Sequence, residues 1–371
     1  MLMLLLLQTV VLVAACSKSN DAYAEQEQQP TVLTIYVYAP EKAVATRSDM
    51  GDVDATSAES RVNSLQIWVF EHEDTTLVGY LSPTVSLLNS EQAEAYLLDV
   101  SALFAETHPN VDVYVLANAA GMGLGAGSTR SALEDAVMSG DNFGISQPTT
   151  AVPPGGMPMS GVLRDQPVCG DNPVLRIGSA TEMATVRLKR MVSKLRFVFT
   201  CSEESTERVS IDGITLDANT IPTEEYLFLG DDGNNYHIGN TYVTTAATLS
   251  TGIATLASCT APLEYVYTAG TEAQDYEELI SGGVTAGDLS QAGPYYLRES
   301  DCRLSGTIRY TVGEVSRQAT FQMANAGDFS RNHTWIVYGY FISGGIGDLQ
   351  LNSVFVKDWN NVNRNHELFN W

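Results

Sequence analysis

The alternation of apolar and polar residues predicts a chain made mainly of β-strands. Val32–Tyr38 is β-branched and aromatic with a period of two, and the run at 64–70 places Leu65, Ile67 and Val69 on one face. Similar strand signals recur at 111–118, 194–200, 210–216, 303–312 and 334–343. Many short strands separated by turn residues are typical of β-sandwiches rather than of alternating strand and helix units.

Helical signals are few. Residues 91–104 have a mixed pattern, and residues 128–138 form the best short helix, with Ser128 or Thr129 as its N-cap. The length of 371 residues fits two domains, and we place a boundary near residue 190. The sequence therefore predicts an all-β protein with few short helices.

The chain begins with a targeting signal. Residues 1–13 are almost wholly apolar and are followed by Ala14, Ala15 and Cys16. A bilayer core of ~30 Å needs about 20 residues, so this run is too short to span it but suits a signal peptide. Small residues before a cysteine are the pattern of a bacterial lipobox, which predicts a signal peptide at 1–15 and acylation of Cys16. The alternative is a plain secretory signal with an incidental cysteine, and the lack of a preceding Lys or Arg leaves the true start codon open.

The charge of the chain excludes the nucleic-acid-binding classes. Lys and Arg number 20 against 44 Asp and Glu, which gives a formal net charge of −24. Such an acidic surface repels nucleic acids and anionic lipid headgroups and favours solubility after export.

Four further cysteines leave the disulfide pattern open. Cys169, Cys201, Cys259 and Cys302 could form up to two disulfides in an exported protein, with three alternative pairings. Their wide spacing and the absence of a CxxC motif argue against a zinc site.

Motifs for catalysis or for cofactors are weak. The glycine-rich run at 121–127 meets the GxGxxG spacing only if Ala126 replaces the last glycine, so a flexible strand-to-helix connection is the better interpretation. The five histidines are scattered, no GxSxG motif occurs, and the acidic run at 231–235 suits a hairpin turn better than a calcium loop. We therefore expect no enzyme activity, no cofactor and no metal site.

Several segments in order resemble the fimbrillin superfamily of Bacteroidales pili, also called type V pili. They spread over nearly the whole chain, and none is specific alone. They are the lipobox with an early strand, Thr46-Arg47-Ser48, and the segments at 62–70, 113–118, 157–161, 186–195, 331–333 and 356–359.

The resemblance implies two transthyretin-like β-sandwich domains in tandem and export as a lipoprotein. It also implies proteolysis after an Arg near the N-terminus, which releases the first strand and opens a groove for a strand of a neighbouring subunit. The domains would then be a propeptide at 16–47, an N-terminal β-sandwich at 48–190 and a C-terminal β-sandwich at 191–371.

Carried onto this sequence, the resemblance assigns the cut to the bond between Arg47 and Ser48. The surrounding loop is rich in small and polar residues, which is the profile of a site open to proteolytic nicking. Arg61 is the rival site nearby.

The strand that the cut releases would be Val32–Tyr38. Its inward row would be Leu33, Ile35 and Val37. An incoming strand would restore both the backbone pairing and the apolar contacts, by β-augmentation.

The tail at about 348–371 is the predicted donor strand. Leu349 and Leu351 alternate with polar residues, and the apolar phase then shifts to Val354 and Val356, which predicts a β-bulge near Asn352–Ser353. The alternative is that this tail is simply the last strand of the C-terminal domain.

The resemblance implies a structural pilus subunit that supports adhesion. Its partners would be other pilus subunits and a host or bacterial surface ligand. Its location would be the outer membrane, through the lipid, and then the extracellular fimbrium. The alternatives are a monomeric surface lipoprotein that binds glycan or protein, and the membrane-anchor subunit of a pilus.

Overall fold

The computed structural model describes most of both halves of the chain. The described ranges are 30–38, 57–85, 93–139, 148–202, 205–230, 241–249, 253–256, 258–259, 290–323, 326–327, 329–341, 349–358 and 363–366. Over 349–358 and 363–366 the description covers the backbone alone.

The first half of the chain forms two sheets from short strands, one mixed and one antiparallel. Their bounds are β1 (Val32–Tyr38), β2 (Leu65–Glu71), β3 (Leu77–Leu81), β4 (Glu94–Asp99), β5 (Val111–Ala117), β6 (Val137–Ser139), β7 (Met159–Gln166), β8 (Val168–Asp171), β9 (Val174–Ile177), β10 (Thr185–Arg187) and β11 (Lys189–Arg190). One sheet has the order β10-β1-β9-β8, with β4 on the other side of β1, and the second has the order β11-β7-β5-β2-β3.

The inward residues of these two sheets form one buried cluster. It contains the apolar rows of β1, β2 and β5 and reaches Val192 along the chain. Leu227, Phe228 and Tyr296, which come much later in the sequence, also pack in this cluster. Burial of apolar side chains from two facing sheets is what stabilises a β-sandwich.

The second half of the chain repeats this plan. Its strands are β12 (Val192–Ser202), β13 (Val209–Leu216), β14 (Glu224–Tyr226), β15 (Ala247–Leu249), β16 (Ser258–Cys259), β17 (Ser290–Arg298), β18 (Ser305–Val312), β19 (Val315–Gln322), β20 (His333–Phe341), β21 (Leu349–Asp358) and β22 (Asn363–His366). One sheet has the order β16-β12-β20-β21-β22 with β17 beside β12, and the other has the order β15-β13-β18-β19.

A second buried cluster fills this half, from Leu195 to Phe341. The changeover between the two clusters falls inside β12, between Val192 and Leu195. The small sheet of β14 and β6 joins the two halves, because β14 follows the first strands of the second half and pairs with a strand of the first. The predicted all-β fold with tandem β-sandwich domains is confirmed.

The helices of the described chain are short: α1 (Ser57–Ser60), α2 (Ala102–Thr107) and α3 (Arg130–Glu134). Thr129, one of the two predicted N-caps, caps α3, and its hydroxyl accepts a hydrogen bond from the amide of Ala132. The helix predicted over 128–138 was too long, because α3 ends at Glu134 and Val137–Ser139 forms β6, which pairs with β14. The mixed signal at 91–104 is mostly strand β4, and helix α2 begins later, after the N-cap Ser101. No helix among the described residues is long and apolar enough to span a membrane.

Burial on β2 includes the predicted face and extends to the opposite one. Leu65, Ile67 and Val69 are buried as expected, but Trp68 and Phe70 on the opposite face are buried too. The glycine-rich connection between β5 and α3 covers part of that face. Trp68 Nε1 donates to the carbonyl of Gly125 at 2.8 Å.

The structure tests three of the four predicted disulfide cysteines. No disulfide joins any two of Cys169, Cys201 and Cys302. Cys259 lies in β16, where the register sets it opposite Ser202 rather than opposite Cys201.

Candidate functional site

The predicted released strand, β1, lies in the interior of a sheet. It pairs antiparallel with β4 along Val32 to Val37. On its other side it pairs in parallel, first with β9 and then with β10. Its removal would leave unpaired backbone groups on three neighbouring strands at once.

The predicted inward row of β1 is buried. Leu33, Ile35 and Val37 are 0%, 1% and 0% exposed. The cross-strand neighbours of this row are themselves buried, with Leu98 and Leu175 beside Leu33, Tyr96 beside Ile35 and Val186 beside Val37. Burial of each aliphatic side chain stabilises the fold by roughly 1.5–3 kcal/mol. Without β1, these neighbours would form the floor of an apolar groove.

The predicted cut site lies between β1 and α1. Arg47 and Ser48 are outside the described residues, and so is Cys16. β1 ends at Tyr38 and α1 begins at Ser57.

Helix α1 is attached to the body by a buried ion pair. The Glu59 carboxylate lies 3.0 Å from Lys194 Nζ, and both side chains are 0% exposed. Tyr296 donates its hydroxyl to Glu59 Oε1 at 2.6 Å. Burial lowers the pKa of the Lys194 ammonium, and the adjacent Glu59 carboxylate opposes that shift.

Arg190 reinforces this attachment. Its Nε donates to the backbone carbonyl of Glu59 at 3.0 Å, and its Nη2 donates to Ser60 Oγ at 2.9 Å. Asn332 Oδ1 accepts from the backbone amide of Arg190 at 3.0 Å. The last turn of α1 is therefore bonded at its backbone and at two side chains.

A second buried ionic cluster joins the two domains. Arg331 Nε donates to Glu299 Oε1 at 2.9 Å, and its two terminal nitrogens donate to the carbonyls of Tyr226 and Leu227. Glu225 is fully buried, and its Oε2 accepts from the backbone amide of Glu299 at 3.3 Å. Because Leu227 packs in the first core, Arg331 joins this segment to Glu299 of the second half.

The predicted donor tail lies in its own chain's sheet. β21 pairs antiparallel with β20, and the register sets Leu349, Leu351, Val354 and Val356 opposite Phe341, Gly339, Val337 and Trp335. The register shifts between Tyr338 and Gly339, opposite Ser353 and Leu351, so Asn352 is the extra residue of a bulge. The predicted bulge near Asn352–Ser353 is confirmed. The donor role of these residues stays a prediction.

Sequence reasoning missed the buried charges. Lys194 alternates with Leu195 in β12, a pattern that indicates a solvated face. In the structure that face is covered by the N-terminal domain, so the charge is buried. One signal was available, because Arg190, Lys194 and Arg331 all lie in segments that carry the family resemblance.

The family comparison matches the N-terminal domain. The model of the family described as major fimbrial subunit protein (FimA) matches residues 31–168. No curated protein matches the chain.

Solved structures align with most of this chain. A proposed cell adhesion protein from Parabacteroides distasonis has a TM-score of 0.53 at 14% identity, covering 90% of this chain and 98% of that one. The tip fimbrial protein Mfa3 from Porphyromonas gingivalis, solved with a C-terminal truncation, has a TM-score of 0.49 at 14% identity, covering 89% and 99%. The first likeness shows a shared fold.

The family match begins at the first residues before β1 and runs to the start of β8. It therefore covers β1, its antiparallel neighbour β4 and α1, whereas the parallel neighbours β9 and β10 lie beyond the matched residues. Over residues 31–168 the chain is thus similar to the FimA family, which agrees with the predicted resemblance to the Bacteroidales fimbrillin superfamily.

Proposed function

We propose that this protein is a structural subunit of a cell-surface pilus that is exported as a lipoprotein on Cys16. A cut after Arg47 then releases β1, and subunits polymerise by strand exchange to support adhesion. The observation that carries the proposal is the position of β1. It is an interior strand with a fully buried apolar row, and it is joined to the body through the segment that contains Arg47.

The physical case starts from what β1 leaves behind. The vacated seat would expose the edges of β4, β9 and β10 together with an apolar floor, and both are unfavourable in water. A donor strand with the same alternation restores both kinds of contact. The tail supplies such a strand, because the bulge at Asn352 aligns its four aliphatic positions along one ladder.

In this chain the tail occupies the edge of β20, so donation requires an exchange of partners. The ladder between β20 and β21 would open, and the tail would enter the vacated seat of a neighbouring copy or of another subunit. The backbone bonds given up and gained are of the same kind, so burial of the apolar floor favours the exchange.

The activation step is tested by substitution of Arg47. Arg47→Ala should give a folded monomer that retains β1 and forms no multimer ladder, while Arg61→Ala should polymerise like the unmodified chain. The measurement is gel analysis of surface protein together with sequencing of its N-terminus, where Ser48 is expected for the unmodified chain. Ladders from Arg47→Ala at normal abundance would refute this role of Arg47, and a mature terminus at acylated Cys16 would indicate an anchor or a binding lipoprotein.

The donor step is tested in the tail. Leu351→Asp should leave the cut at Arg47 intact and weaken polymers, because it places a charge in the apolar row that enters the seat. Asn352→Asp, at the bulge, is the matched control and should polymerise normally. Long polymers from Leu351→Asp, or loss of the cut, would contradict the donor role.

A further inference from the structure

Two arginines follow β1 in the sequence, and the structure describes the peptide bond after the second of them, Arg61. Arg47 lies between the described elements, whereas the bond between Arg61 and Val62 follows α1 directly. The Arg61 side chain is exposed, so an arginine-specific protease could recognise it. The question of which bond is cut rests on the proposed function above.

The backbone on the N-terminal side of Arg61 is fixed by the buried ion pair. Glu59 and Ser60 directly precede it, and both are bonded to Arg190, while Glu59 is also paired with Lys194. A protease binds several residues on each side of the bond in extended form, so cleavage after Arg61 would require these buried contacts to open.

The backbone on the C-terminal side is fixed by Asn118. Its Nδ2 donates to the carbonyl oxygen of Arg61 at 2.7 Å, and its Oδ1 accepts from the backbone amide of Asn63 at 2.7 Å. The same Nδ2 donates to the carbonyl of Met157 at 2.7 Å. The backbone amide of Asn118 donates to the backbone carbonyl of Ser64. The Arg61 carbonyl is the group that a protease must polarise, and here Asn118 holds it.

The local backbone is shaped for this contact. Asn118 has a φ of 58°, in the left-handed region that asparagine tolerates better than most residues. Gly156 has a φ of 93°, and a Cβ on it would lie 2.5 Å from Asn118 Nδ2. A side chain at Gly156 would therefore displace the amide that holds Arg61.

We propose that Asn118 and Glu59 together protect the bond between Arg61 and Val62, and so direct processing to Arg47. In the reaction, water adds its hydroxyl to the arginine carbonyl carbon and a proton to the amine of the next residue as the peptide bond breaks. Asn118 and Glu59 are specificity-determining residues of the substrate, and they act by withholding one bond from the protease.

The test uses the full chain carrying Cys16→Ser, incubated with an arginine-specific endoprotease and analysed by mass spectrometry of the new N-termini. Asn118→Gly removes the side-chain bonds and keeps a residue that tolerates a positive φ. We expect its termini at Val62 to form about tenfold faster or more than in the unmodified chain, because cleavage follows the population of the opened segment. Asn63→Ala, which removes the bond from Asn63 Nδ2 to Gly155 and spares Asn118, is the matched control and should change this rate far less.

A double variant distinguishes failure of this proposal from failure of the proposed function. Arg47→Ala with Asn118→Gly should be cut after Arg61, whereas Arg47→Ala alone should resist. Equal and slow cutting at Arg61 with and without Asn118→Gly overturns the protection by Asn118, even where Arg47 is cut normally. Cutting at Arg61 in the unmodified chain as fast as at Arg47 overturns the proposal as a whole. Failure to cut at Arg47 in any chain overturns the proposed activation instead.

Hydrogen exchange of the unmodified chain covers the case in which Asn118→Gly does not fold. The amides of Asn63 and Ser64, which face Asn118 Oδ1, should exchange as slowly as those of β2. Exchange at the rate of an open loop would overturn the protection.

Discussion

β1 and the segment from α1 to Asn63 lie on either side of the predicted cut site, and the body holds them by different interactions. β1 has no charged residue, and backbone pairing with three strands and one buried apolar row hold it in place. The α1 segment is one helical turn, and specific partners hold it, namely Lys194, Arg190 and Asn118.

The two kinds of attachment differ in how specific they are for the segment that is held. A seat made of backbone groups and apolar surface accepts any strand with the same alternation. A buried site formed by an ammonium and a hydroxyl accepts only a carboxylate, because any other group leaves the ammonium charge unpaired. A chain that must lose β1 and keep its new N-terminal segment in place needs both kinds of attachment.

The largest loss of stability is expected from breaking the buried ion pair between Glu59 and Lys194. Glu59→Gln leaves the Lys194 ammonium buried without its carboxylate, and removal of one partner of a buried pair costs about 3–5 kcal/mol. We expect the free energy of unfolding of the uncut chain, measured in urea, to fall by this amount. Glu59→Gln with Lys194→Met replaces both charges and should lose much less. A single variant as stable as the unmodified chain would contradict the importance of the pair.

The next largest loss of stability is expected from truncating the buried apolar row of β1. Ile35→Ala truncates a side chain that is 1% exposed, and such truncations cost about 2–5 kcal/mol. The uncut chain should lose that much unfolding free energy. The body that remains after the cut lacks the residue, so it should unfold as the unmodified body does. Tyr36→Thr, on the opposite and less buried face of the same strand, is the matched control. A loss as large from Tyr36→Thr would argue against the inward row as the main attachment.

The sequence was sufficient to predict β1 and insufficient to predict the contacts of the α1 segment. Val32–Tyr38 is a strand with the predicted inward row because a period of two is a local property of the chain. The bulge at Asn352 could likewise be predicted from the phase shift between Leu351 and Val354. These features depend on neighbours in the sequence.

The buried charges depend on distant parts of the chain. Glu59 meets Lys194 and Tyr296 across the domain junction, and no periodicity links these positions. Asn118 ends a predicted strand, but its role requires Arg61 and Met157, which other loops bring close to it. Burial of Trp68 on the second face of β2 could not be predicted for the same reason, because the connection after β5 accepts the hydrogen bond from its indole nitrogen.

A smaller effect concerns the second ionic cluster, which fixes β14. Burial raises the pKa of Glu225 to about 8, and the nearby Glu299 carboxylate contributes, against the opposing charge of Arg331. The folded state then keeps a proton that the unfolded state releases, so stability is present below about pH 4.5 and is lost as the pH rises towards about 8.

Glu225→Gln should remove this dependence, whose slope for one proton is at most about 1.4 kcal/mol per pH unit. The measurement is urea unfolding at pH 5, 7 and 9, where the unmodified chain should lose stability and the variant should be flatter. Glu224→Gln, the neighbouring carboxylate of the same strand, is the control and should keep the slope. Equal slopes in all three chains would show that Glu225 does not carry the dependence.

The smallest effect comes from a charge pair near the surface, which contrasts with both buried clusters. His72 Nδ1 lies 2.8 Å from the buried Asp112 Oδ1, and its side chain is 30% exposed. The hydrogen bond to Asp112 raises the pKa of His72, with contributions from the charges of Asp112 and Asp165, against burial and the charge of Arg130. A raised histidine pKa adds stability that is fully present below its ordinary value of 6.5 and is lost as the pH rises through the folded value.

Because Glu225 and His72 give slopes of the same sign, the histidine is best measured in a Glu225→Gln chain. In that chain we expect a residual loss of less than about 1 kcal/mol as the pH rises above 6.5, since solvent screens a partly exposed pair. Addition of His72→Gln should abolish this loss, and high salt should reduce it. A residual slope that survives His72→Gln would assign it to other groups. A residual slope larger than that of Glu225 would mean that the pair of His72 and Asp112, rather than the buried clusters, dominates the pH dependence of stability.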